Sequence, residues 1–161
     1  MSNIIKEFNT TLEEFIIKLS NQYPTESKIK VYLNTFRVTK MYNAQIPLKI
    51  FMGGCLNFKD QIKNRDSNFF INRKQFIERV ENCTSFADDI GLVDHWLNLS
   101  EESKTSIWDY IQTLFVMGEM YINNNTNLMD NINNLYNNLS KDDINNLNNK
   151  ELSDNLKTKL D

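Results

Sequence analysis

Glycine and proline are scarce in this chain of 161 residues, with four and two copies, and cysteine and histidine are scarcer still relative to their usual chemical roles, with two and one. A turn-rich β-sandwich needs many more chain-reversing residues, so the shortage points to helices. Two cysteines cannot frame a disulfide-stapled scaffold, and both Cys55 and Cys83 sit among apolar neighbours, as buried free thiols do. A single histidine leaves a metal site short of its commonest nitrogen ligand, so no metal and no cofactor are expected. No uninterrupted apolar run approaches the roughly 20 residues that cross a bilayer, and no charged-then-apolar leader opens the sequence, so no membrane association and an intracellular setting with reduced thiols are expected. The triplets Asn9 to Thr11 and Asn98 to Ser100 match a glycan acceptor but mean nothing without a secretory route. Nucleophile elbows, H-E-x-x-H, C-x-x-C and phosphate loops are missing as well, which leaves an enzymatic function without a sequence signal.

What is present is apolar periodicity at helical spacing. It is clearest from Leu99 to Ile122, where Ile107, Trp108, Ile111, Leu114, Phe115, Gly118, Tyr121 and Ile122 recur at steps of three and four. Ser100 stands where a hydroxyl can accept from the free amides of a first turn, and Glu101 and Glu102 place negative charge at the positive end of the helix dipole. The two large aromatics on this stripe, Trp108 and Phe115, predict a helix across the middle of a core.

Earlier in the chain, Thr10 and Thr11 precede Glu13 and Glu14 at capping-box spacing, which predicts a first helix carrying Leu12, Phe15, Ile16 and Leu19 and ending between Asn21 and Pro24. A second helix is expected from Thr25 to about Asn43, with Ile29, Tyr32, Leu33, Phe36 and Met41 inward and Lys28, Lys30, Arg37 and Lys40 outward. A third begins near Pro47 and continues through Leu48, Phe51, Met52, Cys55, Leu56, Lys59 and Ile62. Its interior pair Gly53-Gly54 costs about 1 kcal/mol per glycine relative to alanine and is read as close helix packing rather than ligand approach or a hinge. A turn over Asn64 to Asn68 leads to an apolar anchor, Phe69, Phe70 and Ile71. Two more helices follow, from about Asn72 to Cys83 and from Phe86 to Leu97, the latter using Ile90, Val93, Trp96 and Leu97.

After Ile122 the texture changes. Leu128, Ile132, Leu135 and Leu139 keep coiled-coil spacing, and Ile144, Leu147, Leu152, Leu156 and Leu160 continue a thinner stripe amid asparagine, a poor helix former. The expected architecture is therefore all-α: a compact bundle of about six helices over residues 1–122, then a helical or flexible Asn-rich tail over residues 123–161.

Charge is segregated along the chain. Eleven Lys/Arg face three Asp/Glu between Lys28 and Arg79, whereas eight Asp/Glu face Lys104 alone between Glu81 and Glu119, although the whole chain carries only −3. Lys59, Lys63, Arg65, Arg73 and Lys74 are close enough in sequence to converge on one corner that could hold phosphates or an acidic partner. The bland alternative is that the basic helices simply face the acidic ones. A sequence pI near 5.3 is unlike that of a dedicated nucleic-acid binder. His95, next to Asp94 and after Asp88-Asp89, matches no metal-ligand spacing and reads as a helix-surface histidine with solvated acidic neighbours. An acid–base site would have to be assembled from Asp94, His95 and Glu119.

Three stretches, Phe8 to Pro24 (FNTTLEEFIIKLSNQYP), Asn64 to Asn72 (NRDSNFFIN) and Asp94 to Tyr121 (DHWLNLSEESKTSIWDYIQTLFVMGEMY), resemble small helical proteins encoded by giant nucleocytoplasmic DNA viruses. The resemblance covers residues 8 to about 121, implies a helical domain in the host cytoplasm, viral factory or virion, and transfers no functional residue. The asparagine excess agrees with an AT-rich genome. The expectation is a non-catalytic viral accessory, structural or protein-interaction protein with protein partners or self-association. The alternative is a phosphate- or nucleic-acid-associated protein using the basic segment 59–74.

Overall fold

The computed structural model describes residues 2–71 and 86–124. Among these residues there is no strand, and the regular elements are α1 (Ser2–Gln22), α2 (Ser27–Tyr42), α3 (Ile46–Gly53), α4 (Lys59–Lys63), α5 (Phe86–Asp89) and α6 (Glu101–Asn123). Short 3₁₀ turns at Leu56–Phe58, Ser67–Phe69, Leu92–Asp94 and Trp96–Asn98 connect them. The all-α bundle expected from the sequence is the fold. The helix proposed for Asn72 to Cys83, Cys83 itself and the tail beyond Asn124 lie outside the described residues.

α6 forms as its sequence predicts. The Ser100 side chain accepts from the Ser103 amide at 3.1 Å, and the eight stripe residues from Ile107 to Ile122 are the ones buried. α1 packs against both α2 and α6, while α3 touches all three. Gly118 of α6 packs directly on Met52 of α3. A β-carbon there would lie 2.3 Å from the Met52 sulfur, so only glycine lets the two helices come this near.

Aromatic side chains fill the core in two groups. Phe86 meets Phe51 at 4.9 Å, Tyr32 at 5.3 Å and Phe15 at 6.2 Å, joining α1, α2 and α3 through one ring. On the other side of the core, Phe70 stacks on Trp96 at 3.7 Å while Trp108 meets both edge-on, at 5.1 and 5.8 Å. The apolar anchor at Phe69 and Phe70 is thus a buried wedge beneath α6.

Four expectations are corrected. α1 starts at Ser2, not after Thr10 and Thr11, because Ile5 and Phe8 extend the buried face of Leu12 and Phe15, and that burial outweighs a local capping box. The third helix does not run through to Ile62. It stops at the glycine pair, where the Gly54 amide caps α3 and the Gly54 carbonyl accepts from the Phe86 amide at 2.9 Å. Met41 points outward, 89% exposed, and its place on α2 is taken by Thr35 and Thr39, whose hydroxyls donate to backbone carbonyls one turn back. Leu97 is 71% exposed, because the Phe86 to Leu97 stretch is one α-turn followed by two 3₁₀ turns instead of a single helix. The break is at Gly91, whose φ of +79° a side chain would strain.

Candidate functional site

Of the five residues that sequence spacing gathers at a basic corner, Lys59, Lys63 and Arg65 are described, and Arg73 and Lys74 lie outside the described residues. α4 lies against α6, which sets these cations beside the acidic positions of the central helix. Lys59 Nζ is 2.9 Å from Glu119 Oε2, and the hydrogen bond to Glu119 holds the Lys59 pKa above the ordinary lysine value. Arg65 donates from Nη2 to Asp109 and from Nε to Gln112 Oε1 at 2.9 Å. Gln112 in turn donates to the Ile62 carbonyl at 2.9 Å. Arg65 achieves this from a left-handed backbone conformation, φ +50°, a position uncommon for a residue with a side chain. Lys59 and Arg65 therefore form a seam with α6.

His95 is not a solvated surface histidine. The reversal at Gly91 turns its ring onto Tyr23, with centroids 4.2 Å apart and planes within 20°, and brings Nε2 to 2.9 Å from Glu26 Oε2. Glu26 accepts from the Lys28 amide at the start of α2, and a β-carbon at Gly91 would press on it at 2.9 Å. The cluster clasps the α1–α2 turn to the segment ahead of α6. It takes His95 to Glu26 while Glu119 goes to Lys59, so two members of the trio Asp94, His95 and Glu119 are engaged elsewhere, and Asp94 is exposed. Cys55 is buried, and desolvation first, then the charge of Asp89, pushes its thiol pKa well up, away from nucleophilic chemistry. Asn9 is also buried, donating from Nδ2 to the Ala44 carbonyl at 2.9 Å, so the glycan triplet it heads is inaccessible in the folded chain. Among the described residues, no group of three or more His, Cys, Asp or Glu side chains could hold a metal ion.

Among the described residues, α2 carries exposed basic charge on its outer side. Ile29, Tyr32, Phe36 and Thr39 bury one side of this helix, and Lys30, Asn34, Arg37 and Met41, at steps of four, three and four, run along the opposite side. Lys28, Lys30, Arg37 and Lys40 are all exposed, as the sequence reading had them, and α2 contains no acidic residue. Arg37 meets Glu13 of α1 only through Nε at 3.8 Å. Lys28, Lys30 and Lys40 have no carboxylate within 4.0 Å among the described residues, and Lys40 lies instead over the Phe36 ring at 5.7 Å. Met41 and the half-exposed Tyr42 give the helix an apolar end. Sequence reasoning missed this combination because it turned Met41 inward. The signal was nevertheless there, since Lys30, Asn34, Arg37 and Met41 share one helical line. A separate shallow groove between α1 and α6, lined by Lys6, Glu7, Thr10, Thr11 and Met117, has no such charge bias.

Among the described residues no helix is long and apolar enough to cross a membrane. Compared with protein-family models, with curated proteins and with solved structures, the chain matches none of them.

Proposed function

We propose that this chain is a non-catalytic structural or protein-interaction module, acting in the host cytoplasm, viral factory or virion of a large DNA virus. The observation that carries the interaction reading is the α2 outer face, where Lys30, with no acidic partner among the described residues, and Arg37, met by Glu13 only through Nε, run beside Met41 and Tyr42. Unpaired charge beside exposed apolar side chains is the composition of a recognition surface, since methionine, tyrosine and arginine are enriched where proteins meet. The viral setting rests on the resemblance of the Phe8 to Pro24, Asn64 to Asn72 and Asp94 to Tyr121 stretches and on the asparagine-rich composition. The phosphate-binding alternative at segment 59–74 would require Lys59 and Arg65 to give up Glu119 and Asp109, which weakens it.

The test is affinity capture of the tagged full chain from expressing cells, with and without nuclease. Specific proteins that stay bound after nuclease treatment are the expected result. Loss of every partner on nuclease treatment would overturn the interaction reading and favour nucleic acid.

A further inference from the structure

Resting on the interaction reading above, we propose that the outer face of α2 docks an acidic amphipathic segment of a protein partner, its carboxylates against Lys30 and Arg37 and an apolar side chain on Met41 and Tyr42. The line from Lys30 to Met41 covers eleven residue steps, about 16 Å of helix at 1.5 Å per residue, so it presents about three turns to a partner. Lys30 and Arg37 are seven residues apart, two turns along one side. A helical partner with carboxylates at the same seven-residue spacing would face both cations at once.

The choice of occupant follows from the two ends of the stripe. Between Ser27 and Tyr42 every charged residue is positive; Glu13 of α1 reaches Arg37 only through Nε at 3.8 Å and Lys30 meets no carboxylate among the described residues, so a carboxylate-bearing partner gains Coulomb attraction and is steered to the face. Toward the end of α2 the exposed apolar side chains are Met41 and Tyr42, next to Lys40. A thioether adapts its shape to an apolar side chain, and a phenol ring combines an apolar face with a hydroxyl able to bond at the rim. Nucleic acid would use the cations but would leave Met41 against a phosphate backbone. The pairing of charge with an apolar tip therefore favours an acidic, amphipathic polypeptide.

The experiment measures fluorescence anisotropy of three labelled probes on the full chain: a Glu/Leu/Ala helical peptide of about 20 residues with leucine on one side, the same peptide with glutamine for glutamate, and a single-stranded oligonucleotide of similar length. Saturable binding of the acidic peptide is expected, with little binding of the glutamine peptide. In Lys30→Glu/Arg37→Glu the affinity should fall about tenfold or more, in Met41→Ala/Tyr42→Ala it should fall severalfold, and Lys63→Gln should leave it unchanged. All of these are surface positions, and far-ultraviolet circular dichroism confirms that each variant is folded. Absence of saturable peptide binding, or equal loss in Lys63→Gln, overturns the proposal. Tighter binding of the oligonucleotide, lost in the same Lys30/Arg37 variant, also overturns it and assigns the face to nucleic acid. A concentration-dependent dimer abolished by that variant overturns it in favour of a second copy of the chain. If cellular partners persist after nuclease treatment and are retained by Lys30→Glu/Arg37→Glu, the interaction reading stands and the α2 assignment falls. If no protein partner survives nuclease treatment, both fall.

Discussion

Two regions of this molecule, both rich in lysine and arginine, differ in what the fold has done with their charge. Along the seam between α4 and α6, Lys59 reaches Glu119 and Arg65 reaches Asp109 and Gln112. On α2, Lys28, Lys30 and Lys40 meet no carboxylate among the described residues, and Lys30 stands on the side opposite the buried one. A cation opposite a carboxylate holds helices in register; a cation facing water is available to something else. The contrast teaches that a count of basic residues locates neither a core seam nor a recognition surface until the elements are packed.

The contrast can be tested by removing what lies beneath and within each region. The largest effect is expected under the seam, where Trp108 fills the space among Phe69, Phe70 and Trp96. Trp108→Ala should cost about 3–5 kcal/mol of unfolding free energy, read from a denaturant midpoint, through lost contacts and a residual cavity. An unchanged midpoint would mean that the aromatic cluster does not support α6.

Gly118→Ala comes next. The added methyl would overlap Met52, a buried side chain, and should cost about 1–3 kcal/mol. Because the clash is with one side chain, the penalty should shrink in a Met52→Ala background, giving a clear coupling in a double-mutant cycle. Additive effects would place the cost elsewhere.

Smaller still is the direct comparison of the two basic regions. Arg65→Ala removes hydrogen bonds to Asp109 and Gln112 and should cost about 1 kcal/mol, whereas Lys30→Ala on the free face should stay within about 0.5 kcal/mol of the parent. Equal effects at the two positions would erase the distinction between them.

The smallest effect is a pH slope. Burial raises the Cys55 thiol pKa above its ordinary value of 9.0, so the unfolded chain releases this proton at lower pH than the folded one. Stability from this group is therefore complete below pH 9 and is lost as pH climbs beyond it. Cys55→Ala should flatten the decline above about pH 9, and in a Cys83→Ser chain the Cys55 thiol should resist a thiol reagent until unfolding.

Much of the architecture was legible in residue spacing. The stripe from Ile107 to Ile122 and the Ser100 cap predicted α6 residue by residue, because a long apolar period and a cap are local properties. Phe69 and Phe70 were legible as an anchor for the same reason. The start of α1 was not, since Thr10 and Thr11 carry a local capping signal that burial of Ile5 and Phe8 overrides. His95 was misplaced because its partners, Tyr23 and Glu26, lie about seventy residues earlier and meet it only after the chain reverses at Gly91. Of the candidate site, the cations of α2 were readable as an exposed row, but their lack of partners was not.

The sequence by itself determined that the chain folds as helices, which residues of the central helix face inward, and where basic and acidic residues lie along the chain, because these follow from period, capping and composition. Only the tertiary structure decided which charges are spent. Whether a lysine meets a carboxylate within 4.0 Å depends on which helices touch, and that contact is chosen by the buried aromatic side chains that bring α4 to α6 and, among the described residues, leave Lys30 of α2 without a carboxylate.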